Sequence, residues 1–567
     1  MIYKNSLLTL CFILSNLILV TAQGDELKGW HLLSPAAKRP GTSINDVYKS
    51  ILKNKPSYQV IVAVIDGGVD IYHEDLKQNI WVNPKEIPGN GIDDDHNGYV
   101  DDINGWNFIG NAAGENVHYD TYEATRTLAT LKKKYAGIKP ELIAKENQEE
   151  YRKYTDLEKE NETKKKNAED QWQELKRNEG ILVQVIDAVK KELGPLPLNK
   201  ENLAKVDTNK NVYVNVGTKI LTQILSEQPM LNSFDQISNS VREEYSAPRE
   251  ELESKFLYQL NTDYDSRKLV GDHYDDVTEK YYGNNNVKGP DAMHGTHVAG
   301  IIGAIRGNGI GMDGIATNVK IMALRVVPDG DERDKDIANA IRYAVDNGAR
   351  VINMSFGKGE SPYKKAVDDA VVYAEKHDVL LVHAAGNSAD DNDATPSFPV
   401  SNLDRHGLFA HKKAKNWLEI GALSFSMDED MIASFSNYGK KNVDIFSPGV
   451  RIYSTVPENK YEYLDGTSMA SPVTAGVAAL IRSYYPKLSA KQVKQALMEN
   501  GSTLPTKVIK PGTEQKVLLS DLCKSGTYVN AFKAVEAAGK MHGSQTFTGA
   551  AVIQTVPPVM SNTKPKA

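Results

Sequence analysis

Four short segments of the chain carry side chains that could cooperate in breaking an acyl bond. Hydrolysis of a peptide bond by a hydroxyl needs a base that takes its proton, a carboxylate that orients the base, and donors for the developing oxyanion. The segments VIDGGVD, HGTHVAG, GTSMASP and AAGN provide the side chains of Asp66, His294, Ser468 and Asn387. Each residue alone has an ordinary explanation, as a turn residue, a structural histidine or a helix N-cap. Their joint occurrence favours catalysis.

The apolar patterns around these segments predict the elements that position them. The β-branched run YQVIVAVID ends at Asp66 and is typical of a buried parallel strand that enters a tight loop. Further strands are predicted in VKIMALRVV, RVINMSF and VLLVHAAGN, and helices over 333–347 and 361–376. Strands that alternate with helices indicate an α/β fold with a doubly wound, mostly parallel sheet.

The four motifs, in the chain order Asp, His, Ser, resemble those of the subtilisin-like serine peptidases, the subtilases of peptidase family S8. The resemblance implies a serine endopeptidase that acts on proteins or peptides and uses no organic cofactor. It implies that Asp66 orients the imidazole, His294 is general base and then acid, and Ser468 is the nucleophile. Asn387 and the Ser468 amide would form the oxyanion hole.

The same resemblance suggests where a substrate would bind. MSFGKG is similar to the family's substrate-binding edge, where the backbone of Ser355, Phe356 and Gly357 would pair with an extended peptide. A mainly apolar first pocket is expected from TPSFPV together with Ala384, Ala385 and Gly386. The alternative is that Phe356 and Phe398 are simply core residues.

Two oxygen-rich segments are candidate calcium sites. The loop NGIDDDHNGYVDDING carries Asp93, Asp95, Asn97 and Asp101 at EF-hand ligand spacing, but Asn104 stands where a bidentate glutamate is expected. A solvated acidic turn is the alternative. By the family resemblance, a second calcium site is expected at Asp75 and Asn308, although the glycines beside Asn308 could equally serve a tight turn.

Composition limits the partners and the compartment. A net charge of −7 gives no reason to expect nucleic acid as a ligand. Lys4, the apolar run from Leu7 to Val20 and the small residues before Gln23 predict a secretory signal cleaved after Ala22, with an uncleaved membrane anchor as the alternative. No later segment looks membrane-spanning, so we expect a secreted, periplasmic or extracellular protein. Cys523 would then be the only cysteine left, and no intrachain disulfide could form.

The chain divides into segments of different character. Charged residues with helical periodicity dominate the insertion between Asp66 and His294, which we expect to be an amphipathic hairpin packed on itself. We expect it to act as a lid that controls access to Ser468, with a folding aid as the alternative. The predicted segments are a signal peptide at 1–22, an N-terminal lead-in at 23–58, a catalytic domain at 59–110 and 290–542, a helical insertion at 111–289 and a mobile tail at 543–567.

Two other classes of function remain open at this stage. A non-catalytic scaffold could keep the fold and bind a partner through the insertion, but nothing would then require all four chemical residues. A calcium-stabilised surface-binding protein is the other alternative. The lead-in is also too short for the folding-assistant propeptide that many family members carry, which leaves the maturation route open.

Overall fold

The structure, a computed structural model, describes residues 24–404, 411–546 and 550–553. The predicted signal peptide lies outside these residues. The described chain forms two compact units: a helical unit, Ala124–Tyr264, and a sheet unit built from the segments on either side of it. No helix of the described part is both long enough and apolar enough to cross a membrane.

The strands of the sheet unit belong to one main sheet and three small pairs. The strands are β1 (Pro56–Tyr58), β2 (Val60–Asp66), β3 (Gly105–Asn107), β4 (Val319–Arg325), β5 (Val351–Met354), β6 (Leu380–Ala384), β7 (Trp417–Leu423), β8 (Ile445–Pro448), β9 (Ile452–Val456), β10 (Lys460–Leu464), β11 (Val508–Ile509), β12 (Lys516–Val517) and β13 (Ala551–Ile553). The main sheet has the order β3-β4-β2-β5-β6-β7-β8, and all its pairs are parallel. This confirms the predicted α/β fold.

The helices follow in chain order. They are α1 (Gly24–Leu27), α2 (Ile44–Lys49), α3 (Glu123–Tyr135), α4 (Gln148–Leu193), α5 (Lys200–Leu203), α6 (Val212–Glu227), α7 (Phe234–Ser254), α8 (Arg267–Val270), α9 (Met293–Gly303), α10 (Asp334–Asp346), α11 (Lys364–Lys376), α12 (Thr467–Tyr484), α13 (Ala490–Glu499) and α14 (Ala531–Ala538). The predicted helices at 333–347 and 361–376 correspond to α10 and α11.

Strand β2 shows why the sheet needs helices on both faces. Val62 and Val64 point into a core shared with α9 and α12. Ala63 and Ile65 point the other way, into a core shared with α10 and α11. Side chains alternate along a strand, so a run that is apolar at every position is stable only when both faces are covered.

The segment before β2 is an integral part of the sheet unit. Trp30, Ile44 and Val47 are fully buried in the core that contains α9 and α12. The indole N–H of Trp30 donates to the carbonyl of Val450 at 3.0 Å. Further along, β1 pairs with β13, so residues 551–553 of the predicted tail form a strand. The lead-in therefore contributes to the core and does not merely precede it.

The helical unit has a core of its own. Its long helix α4 packs against α6 and α7 through buried Val185, Ile186 and Leu221. At Gly217 a Cβ atom would lie 2.3 Å from the carbonyl oxygen of Val185, so α6 can approach α4 this closely only with glycine. The amphipathic helices thus cover their apolar faces against one another.

The helical unit is shorter than the predicted insertion. Residues 111–123 and 265–289 belong to the sheet unit. Their acidic side chains pair with buried cations there: Glu123 with Lys358 at 2.7 Å, and Asp272 with Lys335 at 2.7 Å. Both lysine side chains are fully buried. The charge of these segments suggested a solvated surface, but their carboxylates have buried partners.

Candidate active site

Asp66 and His294 meet where β2 ends and α9 begins. The Asp66 carboxylate is buried, and its Oδ1 lies 2.8 Å from His294 Nδ1. The same oxygen accepts the backbone N–H of Gly67 at 2.8 Å. Gly295 permits the contact, because a Cβ there would lie 2.2 Å from the Gly68 carbonyl oxygen. The carboxylate therefore fixes the ring with Nε2 directed away from Asp66.

The electrostatic balance at His294 favours the charged ring. Burial of the ring lowers its pKa, but the negative charge of Asp66 and the hydrogen bond to it outweigh burial, with a further contribution from Asp291. The pKa of His294 consequently lies above its ordinary value of 6.5. An imidazole held in this way can accept a proton and keep it while negative charge develops nearby.

Ser468 is the second residue of α12 and is held by Ser355. Pro472, inside the helix, has no N–H to donate to the carbonyl four residues earlier, which belongs to Ser468. The hydroxyl of Ser355 donates to that carbonyl at 2.9 Å instead. The Ser468 hydroxyl in turn donates to the Ser355 carbonyl at 3.3 Å. The proline of GTSMASP thus frees the acceptor that anchors the start of the helix to the end of β5.

A buried chain of hydrogen bonds supports this anchor. Ser471 donates to Asn353 at 2.8 Å, and the Asn353 amide donates to the Ser355 hydroxyl at 2.9 Å. Ser471 and Asn353 are fully buried. A satisfied buried network of this kind restricts side-chain motion, so Ser468 lies on a rigid base.

Asn387 is oriented by Thr467, a residue that the sequence analysis did not single out. The backbone N–H and the hydroxyl of Thr467 both donate to Asn387 Oδ1, each at 2.9 Å. The Thr467 hydroxyl also accepts the N–H of Gly386 at 3.1 Å. Because Oδ1 is bound, the Asn387 amide nitrogen stays available as a donor. Both residues lie in the predicted motifs, but only the structure shows that they are joined.

Two cavities adjoin each other at Phe356 and Gly357. One, of about 260 Å³, is lined by Ser468, Asn387, Ala384 and Gly386, among others. The other, of about 330 Å³, is lined by Asp66, His294 and Ser355, among others. Phe356 and Gly357 line both. The structure therefore brings the four chemical residues and the predicted substrate edge to one continuous cleft.

One predicted pocket residue is in a different place. Ala385 is fully buried and packs with Leu423 and Phe446 in a separate core cluster, so its side chain faces away from the pocket. The side chain alternates with that of Ala384 along the strand and points to the opposite side. Gly357, by contrast, is exposed, and its backbone forms no hydrogen bond within the described chain, as a peptide-pairing edge requires.

Arg325 is a further buried residue of the cleft that the sequence analysis missed. It lies beside Asp66 in the parallel register of β2 and β4 and is 1% exposed. Its Nε donates to the Gly67 carbonyl at 2.7 Å, and its Nη2 donates to the Val117 carbonyl. Burial lowers the pKa of Arg325 to about 10. The guanidinium ties the turn after Asp66 to the loop that follows β3.

Three carboxylates gather in the acidic loop, but they are not the predicted set. Ligand oxygens of Glu86, Asp93 and Asp95 lie within 4.8 Å of one another. Glu86 is only 7% exposed, and its Oε2 is buried with no hydrogen-bond partner in the described chain. An unsatisfied buried carboxylate oxygen beside two other carboxylates fits a hard cation.

The other two residues predicted as ligands in this loop have different partners. The two carboxylate oxygens of Asp101 accept the N–H groups of Gly89 and Gly91, both at 2.8 Å. The side-chain oxygen of Asn97 accepts the N–H of Tyr99 at 2.8 Å. Asp101 and Asn97 thus support the backbone of the loop, and neither belongs to the three-carboxylate cluster.

The second predicted calcium pair also meets. The side-chain nitrogen of Asn308 donates to Asp75 Oδ1 at 2.6 Å, and the N–H of Met312 donates to Oδ2 at 3.2 Å. Asp75 is fully buried, and burial raises the pKa of its carboxyl. Its donors are neutral, so a cation would stabilise the ionised form.

The fold and the cleft together define a class of protein. In this class, a parallel α/β sheet presents an aspartate, a histidine, a serine and an asparagine at one edge. The chain matches the subtilase family of peptidases (S8) over residues 57–517 and therefore belongs to this family.

Relatives from bacilli share parts of the chain. It is 41% identical over 191 residues to the "Thermophilic serine proteinase" of Bacillus sp. strain AK1, which covers 34% of this chain and 42% of that protein. It is 40% identical over 215 residues to "Subtilisin DY" of Bacillus licheniformis, covering 37% and 71%. It is 33% identical over 270 residues to the "Cell wall-associated protease" of Bacillus subtilis strain 168, covering 47% and 28%. The matches span less than half the length of two of these three relatives.

Proposed function

We propose that the protein is a secreted serine endopeptidase that cleaves peptide bonds with Asp66, His294 and Ser468. The observation that carries the proposal is the 2.8 Å hydrogen bond between Asp66 and His294. It lies in the cleft that Ser468 also lines. Membership of the subtilase family supports the reaction class. The signal-like N-terminal segment supports secretion.

In the proposed reaction, Ser468 attacks the carbonyl carbon of the substrate as its hydroxyl proton passes to His294 Nε2. In this step the hydroxyl would leave the Ser355 carbonyl and form a hydrogen bond with the imidazole. The C–N bond then breaks, and His294 returns the proton to the leaving amine. An acyl ester on Ser468 remains. Water then attacks this ester, again with His294 as base and acid, which releases the carboxylic acid and restores the Ser468 hydroxyl. Asp66 stabilises the charged imidazole during both acylation and deacylation.

Two donors would bind the oxyanion of the tetrahedral intermediate. One is the side-chain amide of Asn387, whose oxygen is occupied by Thr467. The other is the backbone N–H of Ser468, which lies in the first turn of α12, where N–H groups have no acceptor within the helix. Both stabilise charge that exists only in the transition state and the intermediate, and this lowers the barrier.

We also propose that calcium stabilises the enzyme. Glu86, Asp93 and Asp95 would hold one ion, and the unpartnered Glu86 oxygen supports this ligand set. Asp75 and Asn308 are a second candidate site. Calcium prefers carboxylate and amide oxygens, and a bound ion would close loops in the described part of the chain, where Cys523 is a free cysteine. Its role is structural, and no catalytic step passes through it.

Covalent labelling tests the proposed activity. A serine-directed phosphonate should react with the folded protein at Ser468, and peptide mapping should locate the adduct there. Ser468→Ala should remove the label and lower peptide hydrolysis by about 10⁵ to 10⁶-fold, because the triad acts as a unit. Near-normal turnover in Ser468→Ala would show that the assignment is wrong. A correctly folded wild type that neither reacts nor cleaves peptides would favour a non-catalytic scaffold.

A further inference from the structure

The cavity beside Ser468 and Asn387 is lined both by small residues and by polar ones. Ala384, Gly386 and Gly357 line it without bulky side chains, and Thr395 and Ser397 line it with hydroxyls. The sequence analysis expected a mainly apolar pocket here. In the proposed reaction, the residue that supplies the attacked carbonyl lies between Ser468 and Asn387, so its side chain enters this cavity.

Two ionisable side chains line the cavity, and only one can affect a ligand. The ammonium of Lys358 is buried and bound by Glu123 at 2.7 Å and Asp334 at 2.9 Å. Asp390 is exposed to the cavity, and its backbone N–H is held by Asn437 Oδ1 at 3.0 Å. Within the described chain its carboxylate accepts no hydrogen bond and forms no ion pair. The cavity therefore presents one uncompensated negative charge.

The adjoining cavity has the same sign of charge. Its acidic lining residues are Asp66, Asp291, Asp329, Asp331 and Glu332, and its basic ones include His294 and Arg325. The guanidinium of Arg325 is buried and donates to the carbonyls of Gly67 and Val117 and to Asn107 Oδ1. Potentials from like charges around a cleft add, and low-dielectric walls focus them. Acidic side chains therefore outnumber basic ones along the cleft next to Ser468.

We infer that Asp390 selects a lysine or arginine side chain in the residue immediately before the cleaved bond. This inference rests on the proposed endopeptidase function and adds the substrate class. The long side chain would lie along the small residues of the cavity and bring its charged end towards the exposed Asp390 carboxylate. A charge-assisted hydrogen bond there is stronger than one between neutral groups.

A matched peptide series tests the inference. Peptides that differ only before the cleaved bond would carry lysine, arginine, methionine or glutamate at that position. Methionine resembles lysine in length but has no charge. We expect kcat/KM for lysine and arginine to exceed that for methionine by about tenfold, and glutamate to be the poorest. The preference should weaken as salt is raised, because exposed charges are screened.

Variants of Asp390 test whether this residue causes the preference for lysine and arginine. Asp390→Asn should lower the lysine-to-methionine ratio of kcat/KM by about tenfold, and Asp390→Lys should make glutamate better than lysine. Asp369→Asn is a control, since Asp369 lies on the surface and pairs with Lys365. It should leave every ratio unchanged. Ratios within one variant do not depend on the fraction of folded enzyme.

The outcomes separate this inference from the proposed function. Equal cleavage of lysine and methionine peptides by the wild type would overturn the role of Asp390 and leave the endopeptidase activity intact. An unchanged ratio in Asp390→Asn would do the same. Failure to cleave any peptide, with no phosphonate label at Ser468, would overturn both.

Discussion

Thr467 donates two hydrogen bonds to the side-chain oxygen of Asn387, one from its backbone N–H and one from its hydroxyl, each 2.9 Å long. The second bond makes Thr467 a positioning residue for the proposed oxyanion hole. It touches no reacting atom, but it decides which end of the Asn387 amide faces the cleft.

This geometry predicts the effect of removing the hydroxyl. Thr467→Val should lower kcat about tenfold with little change in KM, because the donor is needed only when the oxyanion forms. Thr467→Ser should restore activity. Asn387→Ala should cost roughly 10² to 10³ in kcat, and adding Thr467→Val to it should cost little more, since the Thr467 hydroxyl acts on the oxyanion through Asn387. Steady-state kinetics of the wild type and the four variants check this, and additive losses in the double variant would contradict it.

The raised pKa of His294 predicts the pH dependence of activity. Catalysis needs the neutral imidazole, so kcat/KM should rise with pH through a midpoint above 6.5. An NMR titration of the His294 ring in the Ser468→Ala protein should give the same midpoint. Asp66→Asn in that background should lower it, because the carboxylate is the main group that raises the pKa. A midpoint that does not respond to Asp66→Asn would contradict the assigned cause.

The same pKa has a consequence for stability. A histidine whose pKa is higher in the folded state binds its proton more tightly there. Its contribution to stability is fully present below pH 6.5, the ordinary value, and is lost as pH rises through the folded pKa. Activity and this part of the stability should therefore change in opposite directions over one pH range. Denaturant unfolding of wild type and His294→Gln across that range measures the difference.

Calcium should stabilise the fold through Glu86. If the ion binds only the folded protein, a hundredfold excess over Kd should add about 2.7 kcal/mol to the free energy of unfolding. Glu86→Gln should remove most of this calcium-dependent part. Asp101→Asn should lower stability equally with and without calcium, because Asp101 binds loop N–H groups. Melting curves with calcium and with chelator distinguish the two variants, and identical wild-type curves would refute the site.

The first and last residues of the helical unit predict which deletion variant can fold. Replacement of 124–264 by a short Gly/Ser linker should leave small-peptide hydrolysis within roughly tenfold of the wild type, because the catalytic groups stay positioned. Removal of 120–280 also removes Asp272, so the buried Lys335 loses a carboxylate partner, and Asp336 loses its bond to Arg267. Each stranded buried charge costs about 3–5 kcal/mol. We therefore expect the longer deletion not to fold.

The shorter deletion also tests the role of the helical unit. If the unit controls the access of protein substrates, its loss should change the cleavage of folded proteins and leave small peptides nearly unaffected. Circular dichroism and the two kinds of substrate give the comparison. A 124–264 deletion that does not fold would show that the unit acts as a folding aid and would exclude the lid hypothesis.

The sequence predicted the central elements because their patterns are local. The run that ends at Asp66 is apolar at every position, and only a strand covered on both faces accounts for it. Strand β3, by contrast, has three residues, too few to show a period. Strand β7 contains Glu419, whose buried carboxylate is bound by His383 at 2.9 Å. A charged residue inside a strand hides the pattern unless its distant partner is known.

The same distinction applies to the site. Short motifs identified the four chemical residues, whereas the roles of Thr467 and Ser355 depend on contacts between segments far apart in the chain. Glu86 lies outside the EF-hand spacing, so a search by spacing could not include it. Asp101 fits that spacing, but its backbone adopts a φ of 53°, and its side chain turns to nearby N–H groups. Backbone conformation of this kind is not visible in a list of residue types.

Arg333 contacts the chain on both sides of the helical unit. Its guanidinium binds Asp120, before the unit, at 2.8 Å, and Ser266, after it, at 3.5 Å. The polypeptide thus leaves and rejoins the sheet unit within the reach of one side chain. A site with such close ends accepts a foreign domain with little loss of chain entropy. The sheet unit can therefore accept an inserted domain between these two segments without any change in the order of its strands.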